Sequence, residues 1–130
     1  MMPPSPSRPR NRARIAAERG GHRGEALAAL YLRLKLYRIL HRRYKTPVGE
    51  LDLVARRGDA IVFVEVKARL RRDGEAEALG AVNRQRIVRA AQYWLARHPA
   101  HASSPMRFDV IFLAQGAWPR HLRNAFDASS

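Results

Sequence analysis

Glu50, Asp52, Glu65 and Lys67 are charged residues set inside two apolar runs, Gly49–Ala55 and Ala60–Lys67, that read as the arms of a β-hairpin. Both arms are rich in Val, Ile, Leu and Phe, and Gly58-Asp59 between them is a two-residue connection of the kind that tolerates positive φ. With that loop Arg57 faces Ala60, Asp52 faces Glu65 and Glu50 faces Lys67. A three-residue loop would slip the register by one and send half of the side chains to the other face. Alternation along each strand then gathers Leu51, Leu53, Val62, Val64 and Val66 on a core face and the four charged residues on the other. Like charges directly opposed, with Cβ atoms roughly 4.5–5.5 Å apart, destabilise a strand pair. A divalent cation would compensate, because Mg²⁺ or Mn²⁺ prefers hard oxygen ligands and takes few carboxylates, leaving room for water and phosphate. Lys67, about 7 Å along the strand from Glu65, is within reach of the same phosphate. The alternative is a solvated strand face on which acids and a lysine offset one another.

An aspartate followed, some dozen residues on, by Glu65-Val66-Lys67 resembles the PD-(D/E)xK nuclease superfamily. The wording Gly49-Glu50-Leu51-Asp52 with Phe63-Val64-Glu65-Val66-Lys67 resembles more narrowly the YraN family of bacterial proteins, similar in motif layout to archaeal Holliday-junction resolvases. The likeness runs from about Gly20 to Phe126. It implies a restriction-endonuclease-like αβββαβ core and a metal-dependent endonuclease, with Asp52, Glu65 and Lys67 as catalytic residues. It also implies that Glu25 joins Asp52 and Glu65 in holding Mg²⁺ or Mn²⁺, with the Val66 carbonyl as a further ligand. Without the resemblance, Glu25 reads as an acid favourably placed near a helix N-terminus. Glu50 either holds Lys67 in place or adds a ligand.

Composition bounds the partners. The 130 residues hold 25 Lys and Arg against 11 Asp and Glu, a formal charge of +14, with 46% hydrophobic content. That fits one modest domain and a polyanionic partner, nucleic acid before membrane. No apolar run is long enough to span a bilayer. The absence of cysteine removes disulfides, thiolate metal sites and cysteine nucleophiles, and suits a reducing cytoplasm. The N-terminus has no apolar segment of the secretory type.

Residues 1–19 alternate Pro and Arg and read as a disordered basic arm, leaving 20–130 as the nuclease-like domain. A helix follows from about His22 to Leu36, apolar on two sides: Leu27, Leu30, Tyr31 and Leu34 on one, Ala28, Ala29, Leu32 and Leu36 with Glu25 on the other. Tyr37–Tyr44 is a first strand closed by Pro47. Its Arg42, Arg43 and Lys45 are expected to contact nucleic acid, and His41 reads as a surface or phosphate-facing residue. The stretch from Ala68 to Ala78 is a polar loop in which Arg69 faces substrate and Asp73-Gly74 makes a turn. Asn83 caps a helix that ends at His98-Pro99, with Ile87, Val88, Ala91, Trp94 and Leu95 inward and Arg86, Arg89 and Arg97 outward. Arg86 and Arg89 are further phosphate contacts, and the family pattern gives Gln85 a supporting role at the substrate. Arg107–Ala114 is the last clear strand. Asp109 within it reads as a hydrogen-bonded structural acid, and Trp118 and Phe126 as covers for a core edge.

The order helix, strand, hairpin, helix, strand is that of an α/β fold, a central mixed sheet flanked by helices. The function expected is hydrolysis of phosphodiester bonds, most naturally in branched or structured DNA. The competing class is a nucleic-acid-binding protein that keeps the fold without cutting. Resolving a four-way junction would require a homodimer, although no exposed apolar stripe in the sequence declares an interface.

Overall fold

The computed structural model describes residues 24–69 and 82–128. Residues 1–23, where the basic arm and the start of the first helix were expected, residues 70–81, where the polar loop with Asp73 was expected, and the Arg69 side chain lie outside that description. Helix α1 (residues 24–34) leads into β1 (Arg38–Thr46), β2 (Gly49–Arg57) and β3 (Ala60–Arg69), followed by α2 (Arg84–Arg97), a 3₁₀ turn (Pro99–His101), β4 (Met106–Ala114) and β5 (Arg120–Phe126). The five strands lie in chain order, β3 and β4 parallel across the α2 crossover and the other neighbours antiparallel. This is an α/β sheet with a helix on each face, consistent with a restriction-endonuclease-like core.

The β2–β3 hairpin has the register its turn implies: Arg57 pairs with Ala60, Ala55 with Val62 and Leu53 with Val64. Gly58 takes φ 62°, the positive value a two-residue hairpin turn asks of its first central residue. Leu53, Ala55, Val62 and Val64 pack with Ala28, Ala29 and Leu32 of α1 on one face of the sheet. Val54, Ile61 and Phe63 pack with Ile87, Val88, Ala91 and Trp94 of α2 on the other. The alanines of α1 let its backbone approach the strands closely, and that decides which of its two apolar sides is buried.

Leu51 departs from expectation. It packs with the α2 cluster, not beside Leu53. In the β1–β2 ladder Arg42 pairs with Leu53 and Tyr44 with Leu51, so Arg43 lies across from Asp52, and Arg43 has φ 51°. A residue in the left-handed region kinks its strand. The period-two alternation of β2 fails at the residue facing that kink, which is Asp52. A second irregularity in β1 falls between Ile39 and His41.

Asn83 caps α2 as expected, its Oδ1 accepting the Arg86 N–H at 3.1 Å. Helix α1 ends in a Schellman arrangement, Tyr37 N–H to Leu32 O at 2.9 Å and Leu36 N–H to Arg33 O at 3.0 Å. Leu36 occupies the left-handed position that glycine usually takes, φ 71°. His41 is not a phosphate-facing surface residue. Its Nδ1 accepts the Trp94 indole N–H at 2.9 Å, and its ring packs among Tyr44, Trp94 and His98. Trp118 does not cover a core edge either: it is 79% exposed, whereas Phe126 is buried against Phe108.

Asp109 is fully buried and organises the far end of the sheet. It accepts Arg107 Nε and Nη2 at 2.8 Å each, the Asn124 N–H at 2.9 Å, and His121 Nε2 at 2.6 Å. Arg107 Nη2 also donates to the Tyr37 hydroxyl at 2.7 Å, and Lys35 Nζ meets His121 Nδ1 at 3.0 Å. One carboxylate thus ties β4 to β5 and both to the segment between α1 and β1. Asp109 is the structural acid its sequence position suggested.

Candidate metal centre

The hairpin ladder stops at Leu53 and Val64, and what replaces it is a side chain. Asp52 Oδ2 accepts the Val66 N–H at 2.8 Å, taking the place of a backbone carbonyl. Held in the seam between β2 and β3, Asp52 has acids on two sides. Glu25 from α1 and Glu50 from β2 each bring a carboxylate oxygen within 4.8 Å of it and of one another. Glu65 from β3 lies near enough to feel the charge of Asp52, and Lys67 Nζ stands 3.5 Å from Glu65 Oε1. Gly24, Glu25, Asp52, Val66 and Ala68 line a cavity of 100 Å³.

Three observations bear on a cation. The donors are all hard carboxylate oxygens, the set that suits Mg²⁺ or Mn²⁺ and not a softer metal. Glu25 Oε2 is buried with no hydrogen-bond partner among the described residues, an expensive state for a carboxylate. Arg43 Nε lies 3.7 Å from that oxygen, beyond hydrogen-bonding reach, and donates instead to Glu50 Oε1 at 3.3 Å. The residues therefore fit a small divalent ion. Glu50 belongs to the tightest group of carboxylates, and Glu65 adjoins that group through Asp52.

Burial, and then the charge of Asp52, pushes Glu25 up from 4.5 to about 7, against the pull of Arg43. Burial and Asp52 push Glu65 up from 4.5 to about 8, against Lys67. Asp52 itself is raised by burial, with the Val66 N–H and the Glu65 hydrogen bond opposing. The folded values lie above the unfolded ones, so the folded chain holds protons that the unfolded chain has released. These groups therefore lower stability as pH rises from about 4.5 to about 8. A bound cation replaces the protons. The rise in melting temperature caused by Mn²⁺ is thus expected to be large at pH 8 and small at pH 5, and Glu25→Gln should shrink the difference. An increment independent of pH would disconnect these acids from metal binding.

Of the basic residues singled out in the sequence, Arg42, Lys45, Arg86 and Arg89 are exposed. Arg43 is engaged with Glu25 and Glu50. Gln85, Arg86 and Arg89 share a 380 Å³ pocket with Pro47, Val48 and Asn83, beside the β1–β2 turn, and none of the acids lines it. Gly49 permits this pocket its shape, since a Cβ there would sit 2.6 Å from Arg86 Cγ. Among the described residues, the acidic cluster and this basic pocket are thus formed by different side chains.

Comparison with known proteins places the chain. Residues 24–113, which hold α1, the hairpin, α2 and β4, match the family described as Uncharacterised protein family UPF0102. A UPF0102 protein of Rhodopseudomonas palustris strain BisB18 is 53% identical over 116 residues, 89% of this chain and 86% of the relative. One from strain BisA53 is 48% identical over 130 residues, the full length of both. A third, from Nitrobacter winogradskyi, is 50% identical over 117 residues, 90% of this chain and 99% of its own. With its sheet topology and the Asp52, Glu65 and Lys67 pattern, the chain belongs to UPF0102, the YraN-like family within the PD-(D/E)xK nuclease superfamily.

Proposed function

We propose that this protein is a cytoplasmic Mg²⁺- or Mn²⁺-dependent endonuclease that hydrolyses phosphodiester bonds, with branched or structured DNA as its substrate class. The observation that carries the reading is the buried oxygen of Glu25, without a hydrogen-bond partner among the described residues, inside a carboxylate cluster that adjoins the Glu65–Lys67 pair. Glu25, Glu50 and Asp52 would hold the ion, with Glu65 and the Val66 carbonyl at its edge. When bound, the ion would supply Lewis acidity toward the phosphate and lower the pKa of a water. Lys67 orients the attacking water or takes its proton, and offsets charge that grows on the phosphoryl oxygens. Exposed Arg42, Lys45, Arg86 and Arg89, on a chain of formal charge +14, supply sequence-independent attraction to the backbone. Two symmetric cuts in a branched substrate would call for two copies of the chain.

A second reading, nucleic-acid binding without cleavage, draws on Arg43. Its guanidinium already stands between Glu25 and Glu50, giving these acids a counter-ion from the chain itself. Incubation with branched, flapped, single-stranded and duplex DNA, with and without Mn²⁺, separates the two. The endonuclease reading expects nicking only with metal. Binding that falls steeply with salt, with no cleavage of any substrate in Mn²⁺ or Mg²⁺, would favour the second.

A further inference from the structure

We propose that the exposed side of α1, together with the turn that carries Trp118, is the surface through which two copies of this chain associate. The two apolar sides of α1 have different fates. Ala28, Ala29 and Leu32 are fully buried, whereas Leu27, Leu30 and Leu34 are left 56%, 52% and 71% exposed. Spaced at i, i+3 and i+7, these leucines form one stripe. Between the stripe and Trp118 runs an apolar groove of 300 Å³ with Tyr31 and Leu113 among its lining residues. A contiguous apolar surface of this kind is often where a protein meets a partner. The sequence alone had given no such stripe, because it did not show which side of α1 meets the sheet.

Charge narrows the occupant. None of the described residues that line the groove is ionisable except the Tyr31 phenol, on a chain whose formal charge is +14. A nucleic-acid backbone finds one cation at the edge, Lys35, which already meets the Tyr31 hydroxyl at 3.3 Å and His121 Nδ1 at 3.0 Å, and an Arg-rich segment such as residues 1–19 finds no acid among the described lining residues. The partner is therefore apolar at its centre. Shape narrows it further, because the face presents both halves of one contact: a projecting indole, and beside it a leucine-walled groove. A two-fold axis brings such a face onto itself, each Trp118 entering the groove of the other copy, as an isologous interface requires.

The area suffices for a modest dimer. One largely exposed indole and three leucines more than half exposed amount to roughly 350 Å² of apolar surface per copy, on side-chain areas of about 200 Å² and about 100 Å². With the usual polar rim, the pair would bury about 1,200 Å², the lower end for specific association. Two strongly cationic copies repel each other, so added salt should tighten the dimer where it loosens phosphate binding. The inference does not depend on the proposed catalysis.

Sedimentation velocity on the full chain, over about 1–100 μM and at low and high salt, tests it. Expected are a concentration-dependent dimer that strengthens with salt, and at least a tenfold weakening in each of Leu30→Glu and Trp118→Ser. Both side chains are exposed, so both variants should keep the wild-type circular dichroism and melting temperature. A wild-type chain that stays monomeric throughout would overturn the proposal, as would a dimer that persists in both variants. Co-sedimentation of a monomer with phosphatidylserine vesicles, lost in the same two variants, would overturn it in favour of a lipid surface.

Discussion

Asp52→Asn should lower metal-dependent cleavage by about 10²–10³-fold or more while leaving DNA affinity within a few-fold of wild type. Asparagine keeps the size of the side chain, and its Oδ1 can still accept the Val66 N–H, so the seam between β2 and β3 should close as before. What is lost is the charge at the point where the Glu25–Glu50 group and the Glu65–Lys67 pair meet. Removing one preorganised group from a site of developing charge typically costs about 10²–10³ in rate. Lys67→Ala should fall as far by a different route, through loss of the cation 3.5 Å from Glu65. DNA affinity should survive in both because the exposed arginines are untouched; Asp52→Asn removes an acid, which can only favour a polyanion, and Lys67→Ala removes one of 25 basic residues. The variants should differ in metal binding: Asp52→Asn weakens it, and Lys67→Ala leaves it unchanged or improved. Cleavage within tenfold of wild type in both would move the chemistry away from the hairpin.

The second large effect lies away from the acids. Asp109→Asn is expected to cost about 3–5 kcal/mol of folding stability, the usual consequence of removing one member of a buried charged network. That is a large part of the 5–15 kcal/mol typical of a domain. Asp109 accepts four hydrogen bonds, and an amide would turn donor hydrogens toward Arg107 or His121, leaving one of them facing a donor. Urea unfolding at neutral pH gives the number directly, and a loss below about 1 kcal/mol would show that the network is dispensable. Burial alone would raise the Asp109 pKa, but the bonds from His121, Arg107 and the Asn124 N–H outweigh it and hold it below 3.8. With the folded value below the unfolded one, the stabilisation is present above about pH 4 and is lost as pH falls through the folded pKa. Wild type should therefore lose more stability than Asp109→Asn on acidification.

Gly58-Asp59 fixed the hairpin register because a two-residue turn leaves a single pairing, and that register followed from type and spacing alone. The same rule failed near its functional end. Alternation presumes regular backbone, and nothing in Arg42-Arg43-Tyr44 announces that Arg43 takes φ 51° and turns its neighbour strand at Asp52. Glu50 was accordingly read as an accessory, although it shares the carboxylate cluster with Glu25. For α1 the pattern was ambiguous by construction, two apolar sides of similar strength. The alanines could have resolved it, since small residues mark the side on which a helix lies close to a sheet. Strand β5 was the least legible element. Arg120, His121, Arg123 and Asn124 give it no apolar alternation, and it is held in part through the Asp109 carboxylate on β4.

The irregular geometry of β1 has a consequence for the molecule in solution. Among the described residues it is an outer strand of an open sheet, and such a strand can offer backbone donors and acceptors to a passing β-segment, the usual opening for runaway polymerisation. The break between Ile39 and His41, the left-handed residue at Arg43, and the outward cations Arg38, Arg42 and Lys45 make that border neither straight nor neutral. Strand addition there is blocked twice, by shape and by charge. Self-association through this border is therefore disfavoured, and any association the protein shows should add no β-structure at β1.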